Sequence, residues 1–347
     1  MSVRDSKYSI LAKSARFADG KTKGFFMGKV FVTRRIPSVG IDRLREHHTV
    51  DVWPGEDPPP REVLLDRVQG CSGILSILSD PIDSQIMDAA GKELRGIANF
   101  AVGYNNIDVA AAKARSIQVG NTPGVLTNAT ADIAVGLILA AGRCFGPAIH
   151  NVEQLQWRNW EPMKFLGQEF EGKTLGIIGM GRIGMAVAKR LHGGWDMRVL
   201  YTSRQPKPQV DQQLGASRVE LGELLSQSDV VSIHCPLTPE TRNLIGAEQL
   251  QRMKRHAVLV NTARGEVIDQ TALAQALSER RIFAAGLDVT TPEPIAPDDS
   301  LRQCPQCLIL PHIGSATEHA RNQMATMAAE NLIAAISGQP MPFGVGL

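Results

Sequence analysis

Residues 174–184 read TLGIIGMGRIG, an apolar run that ends in three glycines spaced as G-x-G-x-x-G. The apolar run predicts a strand, and the residues after Gly181 predict a helix. In this context Gly179 makes the tight turn, Gly181 lets the backbone approach a pyrophosphate, and Gly184 allows close packing of helix on strand. The helix N-terminus offers free N–H groups to phosphates. We therefore assign cofactor contacts to Gly179, Gly181, Arg182, Ile183 and Gly184.

Strands and helices alternate on both sides of this unit. Apolar runs occur at 29–33, 49–53, 73–77, 96–100 and 117–120 before it, and at 197–202, 230–236, 257–262, 284–289 and 307–311 after it. Such alternation predicts an α/β fold with doubly wound parallel sheets. A chain of 347 residues suggests two domains. We place the boundary near 122–124, before a long helix predicted at 128–157, and predict a last helix at 317–337 with Ala and Met inward.

Composition excludes several classes of protein. The chain has 37 Lys and Arg against 35 Asp and Glu, so neither nucleic acid nor an anionic membrane is expected as a partner. No apolar run reaches the ~18 residues of a membrane-spanning helix. Five cysteines do not make a disulfide framework, which favours a reducing compartment. We interpret Cys304 and Cys307, a C-x-x-C pair without a second ligand pair, as coincidence, and expect no metal site.

Residues 1–26 are basic and contain no continuous apolar segment. A secretory signal is therefore not expected. We interpret the segment as a disordered extension, or the product of a start codon upstream of Met27, and expect a cytoplasmic protein. A mitochondrial transit peptide is the alternative.

The residues that follow the second strand of the dinucleotide unit bear on cofactor choice. An NAD site usually presents an acid about 20 residues after the glycines, where it binds the ribose 2′-hydroxyl. Here Ser203, Arg204 and Lys207 occupy that place, and no carboxylate occurs before Asp211. Because a guanidinium binds a 2′-phosphate through two N–H groups, we predict that NADP(H) is preferred and leave NAD(H) use open. The alternative is that these are ordinary surface cations.

Three polar residues follow predicted strands in the second half of the chain. Arg264 comes after VLVNTA, Glu293 lies beyond GLDV, and His312 follows LILP. Ligands of open α/β sheets bind outside the carboxyl ends of the strands, where these residues should meet. Each of these residues, taken alone, has a structural alternative: Arg264 as a surface charge, Glu293 as an acid in a loop, and His312 as a structural histidine beside proline.

Together these three residues supply what a carbonyl reductase needs. Hydride transfer to the C2 carbonyl of a 2-oxo acid develops negative charge on the oxygen, which must be protonated. His312 is a suitable acid, Glu293 would orient its ring and favour its charged form, and Arg264 would bind the substrate carboxylate. In the reverse reaction the same histidine is the base.

The chain resembles the D-isomer-specific 2-hydroxyacid dehydrogenase family over about 29–345. The motifs that carry the resemblance are GIIGMGRIG, SDVVSIHCPLTPETRNLIG, LVNTARGEVID, AAGLDVTTPEP and LPHIGSAT. Within the family, VFVTRRIP, YTSRQPKP, GLDVTTPEP and ISGQPMP are most similar to glyoxylate/hydroxypyruvate reductases. The resemblance implies the same catalytic triad, a D-configured product, and reduction of glyoxylate to glycolate and of hydroxypyruvate to D-glycerate.

The resemblance also implies further site residues. Substrate contacts are assigned to the backbone of Val102 and Gly103, to Ser315 and to Trp160, besides Arg264. Further cofactor contacts are assigned to Thr127, Pro236, Thr241, Thr262, Asp288 and Gly314. Two of these residues have structural alternatives: the backbone at 102–103 could be a simple turn between strand and helix, and Thr127 could be only a helix N-cap.

The domain arrangement is likewise implied by the resemblance. It predicts a flavodoxin-like substrate domain of 27–124 plus 311–347 and a Rossmann nucleotide domain of 125–310, with the active-site cleft between them. It also predicts a homodimer. Trp157 and Trp160 would reach toward the partner's site, or would simply pack at the interface.

Two alternative functions follow from the same motifs. One is another dehydrogenase of this fold, acting on phosphoglycerate, phosphite or a broad range of 2-oxo acids. The stretch ILSILSD at 74–80 offers no extra cations for a phosphorylated substrate. The other is a dinucleotide-sensing, co-repressor-like binding protein, which turnover would distinguish.

Overall fold

The computed structural model describes residues 27–346, so the expectations for residues 1–26 lie outside the described residues. The described chain forms two parallel sheets, one of five strands and one of seven. Both are flanked by helices, which confirms the predicted α/β class.

The first sheet is built from the N-terminal third of the chain. Its strands are β1 Lys29–Val32, β2 Thr49–Val52, β3 Gly73–Ser76, β4 Gly96–Asn99 and β5 Gln118–Gly120, in the order β2-β1-β3-β4-β5. That order is the flavodoxin-like one, as predicted. The helices between the strands are α1 Ser38–Arg45, α2 Arg61–Arg67, α3 Ser84–Ala90 and α4 Val109–Ala114.

The single helix predicted at 128–157 is wrong. The segment forms α5 Thr127–Gly142 and α6 Phe145–Glu153, which are bent by 68° relative to each other. The break lies at Cys144, whose φ of 57° is left-handed and cannot continue a right-handed helix. Among residues 27–346 no single helix is long and apolar enough to cross a membrane; the bent pair α5 and α6 is so only when its two helices are taken together.

The second sheet follows the Rossmann order. Its strands are β6 Thr174–Ile178, β7 Arg198–Thr202, β8 Ser217–Arg218, β9 Val230–Ile233, β10 Val258–Asn261, β11 Ala284–Leu287 and β12 Cys307–Ile309, in the order β12-β11-β10-β9-β6-β7-β8. The accompanying helices are α7 Arg182–Trp195, α8 Pro208–Leu214, α9 Leu221–Gln227, α10 Ala247–Arg252 and α11 Gln270–Ser278. The two-residue strand β8 was not predicted, because two exposed polar residues carry no strand pattern.

The central strands of both sheets are buried on both faces, as covered parallel sheets require. Helix α5 packs on β10 and β11 of the second sheet. A Cβ on Gly286 of β11 would lie 2.9 Å from Cβ of Leu137, so helix and strand approach closely.

The last helix, α12 Glu318–Ile336, lies on the first sheet. A Cβ on Gly96 of β4 would lie 2.8 Å from Cβ of Ala335. The buried face of α12 is rich in alanine and methionine, as predicted. The chain therefore returns to its first sheet after completing the second. The division into 27–124, 125–310 and 311–347 stays a prediction.

Candidate active site

The glycine turn after β6 has the geometry that a pyrophosphate needs. Gly179 has a φ of +96°, and a Cβ there would lie 2.6 Å from the backbone nitrogen of Cys235. A Cβ on Gly184 would lie 2.5 Å from the carbonyl oxygen of Gly179, whereas one on Gly181 would meet open space. Helix α7 begins at Arg182 without a side-chain cap. The exposed side of the turn therefore presents uncapped N–H groups to an anion.

The predicted cations Arg204 and Lys207 follow β7, and Arg218 of β8 lies beside the same segment. The Oγ of Ser203 donates to the carbonyl oxygen of Gln205 at 2.6 Å, and Nε of Arg218 donates to the carbonyl oxygen of Ser203 at 3.0 Å. The backbone N–H of Lys207 donates to the hydroxyl of Tyr201 at 2.8 Å. The loop is thus fixed by its neighbours, and Arg218 adds a guanidinium beside Ser203.

Arg204 lies near the loop that follows β9. The Thr238 hydroxyl is the main cause that lowers the pKa of Glu240, and the charge of Arg204 lowers it further. In the same loop Oγ1 of Thr241 donates to the carbonyl oxygen of Pro236 at 2.7 Å. Both segments adjoin the glycine turn, since the Gly179 N–H donates to the Thr202 carbonyl oxygen at 2.9 Å and a Cβ on Gly179 would lie 2.6 Å from the nitrogen of Cys235.

Arg264 follows β10 and reaches the loop that follows β4 of the first sheet. Its Nη1 donates to the carbonyl oxygen of Ala263 at 2.7 Å, and its Nε donates to Oδ1 of Asn105 at 2.9 Å. A Cβ on Gly103 would overlap Nη2. Burial lowers the pKa of Arg264, although the negative charges of Glu293 and Glu266 oppose this effect.

Glu293 and His312 form a hydrogen-bonded pair beside Arg264. Nδ1 of His312 lies 2.7 Å from Oε2 of Glu293, and Oε1 accepts the backbone N–H of Thr290 at 3.2 Å. A Cβ on Gly265 would overlap the carbonyl oxygen of Thr290, so the backbone after Arg264 abuts the Glu293 loop. The three residues predicted from separate strand ends therefore lie together.

Asp288 fixes the loop that carries His312. Its two carboxylate oxygens accept the backbone N–H groups of Ile313 at 2.7 Å and Gly314 at 2.8 Å. Burial raises the pKa of Asp288, whereas the two N–H groups act in the opposite direction. A Cβ on Gly314 would lie 2.9 Å from Oδ2 of Asp288, and Oγ1 of Thr130 donates to the Gly314 carbonyl oxygen at 3.1 Å.

The remaining predicted residues occupy varied surroundings. Thr262 is buried, and its Oγ1 lies 3.4 Å from Nδ1 of His234, whose pKa burial lowers to about 3. The carbonyl oxygen of Ser315 accepts Nε of Arg321 at 3.2 Å. Thr127 is the first residue of α5 and its side chain caps nothing, so the N-cap alternative is wrong.

Residues 135–314 match the description "D-isomer specific 2-hydroxyacid dehydrogenase, NAD binding domain". The chain is 49% identical to a glyoxylate reductase of Korarchaeum cryptofilum, over 90% of this chain and 94% of that one. The chain belongs to the D-isomer specific 2-hydroxyacid dehydrogenase family. This membership makes it an NAD(P)-dependent oxidoreductase.

Other proteins are similar to this dehydrogenase in sequence and in fold. A human glyoxylate reductase/hydroxypyruvate reductase is 44% identical over 90% of this chain and 96% of its own. A structure from Thermus thermophilus superposes with a TM-score of 0.86 at 45% identity, covering 92% of this chain and 100% of that one. The structure of an NADPH-dependent glyoxylate/hydroxypyruvate reductase from Sinorhizobium meliloti, in complex with NADP and malonate, superposes with a TM-score of 0.77 at 31% identity. The match covers 92% of this chain and 97% of that one.

Several residues of this dehydrogenase site were missed by the sequence analysis. Asn105 binds Arg264, and Asn261 shapes its turn by donating to the Arg264 carbonyl oxygen at 2.8 Å. Arg218 was missed because the strand that carries it, β8, was not predicted. The stretch NFAVGYNNID contains Asn105 two residues after the assigned Gly103, and that nearness to an assigned substrate segment was the signal that could have pointed to it.

Two other predictions concern residues outside the triad of the dehydrogenase. Trp157 and Trp160 are 70% and 84% exposed, and the indole N–H of Trp157 donates to the carbonyl oxygen of Asn159 at 3.1 Å. Cys304 and Cys307 are free thiols, and burial raises the pKa of both. Residues 27–346 contain no group of three or more His, Cys, Asp or Glu side chains placed to hold a metal.

Proposed function

We propose that this dehydrogenase is an NADPH-preferring reductase of small 2-oxo acids, converting glyoxylate to glycolate and hydroxypyruvate to D-glycerate. The observation that carries the proposal is the hydrogen bond of 2.7 Å between His312 and Glu293, beside Arg264. All three residues follow strands of the sheet that also carries the glycine turn. The similarity to glyoxylate reductases over 90% of the chain supports the substrate class.

Each member of the triad has a role that its contacts permit. Arg264 binds the substrate carboxylate through its terminal N–H groups, since its Nε is already bound to Asn105. His312 donates a proton from Nε2 to the developing C2 oxyanion, because its Nδ1 is engaged by Glu293. Glu293 fixes the ring and stabilises the imidazolium before that transfer.

The chain's own residues also fit the cofactor. The open side of Gly181 and the uncapped start of α7 would bind the pyrophosphate. When bound, the nicotinamide supplies the hydride for the carbonyl carbon. We assign the 2′-phosphate to Ser203, Arg204, Lys207 and Arg218, because the loop 203–207 contains no carboxylate to repel it.

We further propose that the enzyme is a homodimer through its exposed apolar surface. The large apolar side chains at least half exposed on this surface are Phe145, Ile149, Val152, Leu155, Trp157, Trp160, Met163 and Leu166. A cavity of about 250 Å³ beside it is lined by Pro147 and Phe283, and would receive an apolar side chain of the partner. Patches of this kind mark association surfaces. Sedimentation equilibrium tests this, and a monomeric wild type would contradict it.

The proposed activity is tested by following the absorbance of NADPH and NADH in parallel, with glyoxylate and hydroxypyruvate as substrates. We expect faster oxidation of NADPH than of NADH with both acids. A preference for NADH would refute the assignment of Arg204 but leave the triad intact. Cofactor binding without turnover of either acid would contradict the substrate assignment.

A further inference from the structure

The loop 100–106 carries two consecutive carbonyl groups that are each held by an asparagine side chain. The carbonyl oxygen of Val102 accepts Nδ2 of Asn121 at 2.7 Å. The carbonyl oxygen of Gly103, the next residue, accepts Nδ2 of Asn99 at 2.7 Å. The two asparagines come from different places in the first sheet, at the ends of β4 and just after β5.

These bonds fix the direction of two N–H groups. The peptide units of 102–103 and 103–104 are trans, so the N–H of each points away from its own carbonyl. The N–H groups of Gly103 and Tyr104 therefore point away from Asn121 and Asn99. Neither N–H has a hydrogen-bond partner among residues 27–346. Two adjacent free N–H groups make a concave anion-binding site.

The free N–H groups lie beside the guanidinium of Arg264. Nη2 of Arg264 lies against Gly103, where a Cβ would overlap it. Nε of Arg264 is bound by Asn105 of the same loop at 2.9 Å. One carboxylate can therefore meet the loop and the guanidinium together.

The asparagines are themselves held in place. Oδ1 of Asn99 accepts the hydroxyl of Ser76 at 3.0 Å, and Asn99 is fully buried. The backbone of Asn121 donates to the carbonyl oxygen of Phe343 at 3.1 Å and accepts Nδ2 of Asn331 at 3.1 Å. Each amide that anchors a carbonyl thus has a fixed position before any substrate arrives.

We propose that Asn99 and Asn121 are positioning residues, which hold the carbonyls of Gly103 and Val102 so that the adjacent N–H groups receive the substrate carboxylate. They act through the backbone and do not touch the substrate. The identity of the anion as a 2-oxo acid rests on the proposed function. The positioning itself rests on the four atoms of the two hydrogen bonds.

The test is Asn121→Leu, which keeps the shape of the side chain and removes its N–H donors. We expect the KM for glyoxylate to rise about tenfold with kcat within about threefold, because binding common to ground and transition states is lost. The matched control is Gln118→Leu, since Gln118 bonds to the backbone of Gln339 and Met341 rather than to the loop. Its KM should stay within about twofold of wild type.

Binding is measured separately, by titrating oxalate into the NADPH-loaded enzymes in a calorimeter. Oxalate has the carboxylate of glyoxylate and cannot be reduced by hydride transfer here. We expect about tenfold weaker oxalate binding in Asn121→Leu, with unchanged affinity for NADPH. Asn99→Ser is a second variant, which should weaken oxalate binding in the same direction.

The outcomes separate the two proposals. Wild-type binding of oxalate by both asparagine variants would overturn the positioning role. So would an equal loss of NADPH and oxalate affinity, which would indicate general damage. If the wild type binds oxalate but reduces neither acid, the proposed function fails while the oxalate titrations still decide the role of Asn99 and Asn121.

Discussion

Asp288 holds His312 in place through the two residues that follow the histidine. Its carboxylate oxygens accept the N–H groups of Ile313 and Gly314, and His312 itself has a φ of +53°. A left-handed non-glycine residue costs about 1–3 kcal/mol and persists only where its surroundings fix it. Here the fixed backbone directs Nδ1 of the ring to Glu293 at 2.7 Å. The geometry of the proposed acid therefore depends on a carboxylate that lies one loop away.

The first prediction concerns Glu293→Gln. The amide keeps the size of the side chain but loses the charge that stabilises the imidazolium. We expect kcat for glyoxylate to fall about 10²–10⁴-fold, the range that general acid catalysis contributes, with an unchanged Kd for NADPH. Stopped-flow measurement of a single turnover checks this. A variant that keeps more than a third of wild-type kcat would exclude Glu293 from the mechanism.

The second prediction concerns Arg264→Lys. The planar guanidinium of Arg264 donates from Nε to Asn105 and from Nη1 to the Ala263 carbonyl oxygen, and its other N–H groups stay available for the substrate. The ammonium of a lysine is a point charge and cannot make these contacts together. We expect kcat/KM for glyoxylate to fall at least about 100-fold, since charge-assisted contacts are worth about 1.5–3 kcal/mol each. Steady-state kinetics measures the loss. Lys254→Arg, which keeps the positive charge away from the site, is the control and should stay near wild type.

The sequence predicted those parts of the site that follow strands. Arg264, Glu293 and His312 come after strands of one parallel sheet, so they had to meet at its carboxyl edge. Asn105 and Asn121 lie in segments that follow β4 and β5 of the other sheet, and the sequence alone does not predict which amide meets which carbonyl. Tertiary packing across 159 residues brings Asn105 to Arg264.

The failures at the level of the fold have local causes. The break at Cys144 lies between Gly142, the last residue of α5, and Gly146-Pro147 in the first turn of α6. These are helix-stop and helix-start signals, which the prediction of a single helix passed over. Strand β8 is fixed by pairing of Ser217 and Arg218 with β7 rather than by its own residues. Short elements of this kind follow their neighbours, and a single sequence does not reveal them.

The third prediction concerns stability at low pH and Asp229, which lies between β9 and its preceding helix. Burial alone would raise the pKa of Asp229, but hydrogen bonds from Lys254, the Thr174 N–H and His256 lower it. A carboxyl group whose pKa is lower in the folded than in the unfolded state stabilises the fold at any pH above its unfolded-state pKa. That stabilisation is lost as the pH falls through its folded-state pKa. We expect Asp229→Asn to lower the free energy of unfolding by about 1–3 kcal/mol at pH 7.

The pH dependence of that difference provides its test. The difference in thermal unfolding between wild type and Asp229→Asn should be largest at neutral pH. It should shrink as the pH falls below about 4, the usual aspartate pKa, and vanish below the lowered pKa of the folded state. Asp88→Asn is the control, since Asp88 forms an exposed pair with Arg115. A difference between wild type and Asp229→Asn that does not shrink at all between pH 7 and pH 3 would show that the amide disturbs packing rather than removing a charge.

The fourth prediction concerns Arg204→Gln and the choice of cofactor. The substitution removes the guanidinium assigned to the 2′-phosphate while keeping a polar side chain. We expect the KM for NADPH to rise about tenfold and that for NADH to change less than about twofold, because only NADPH carries the lost phosphate contact. Arg198→Gln is the matched control, since Arg198 lies at the opposite end of β7 and donates to Gln227. Equal effects on both cofactors would indicate that Arg204 shapes the loop, and the preference would then have to be sought at Arg218.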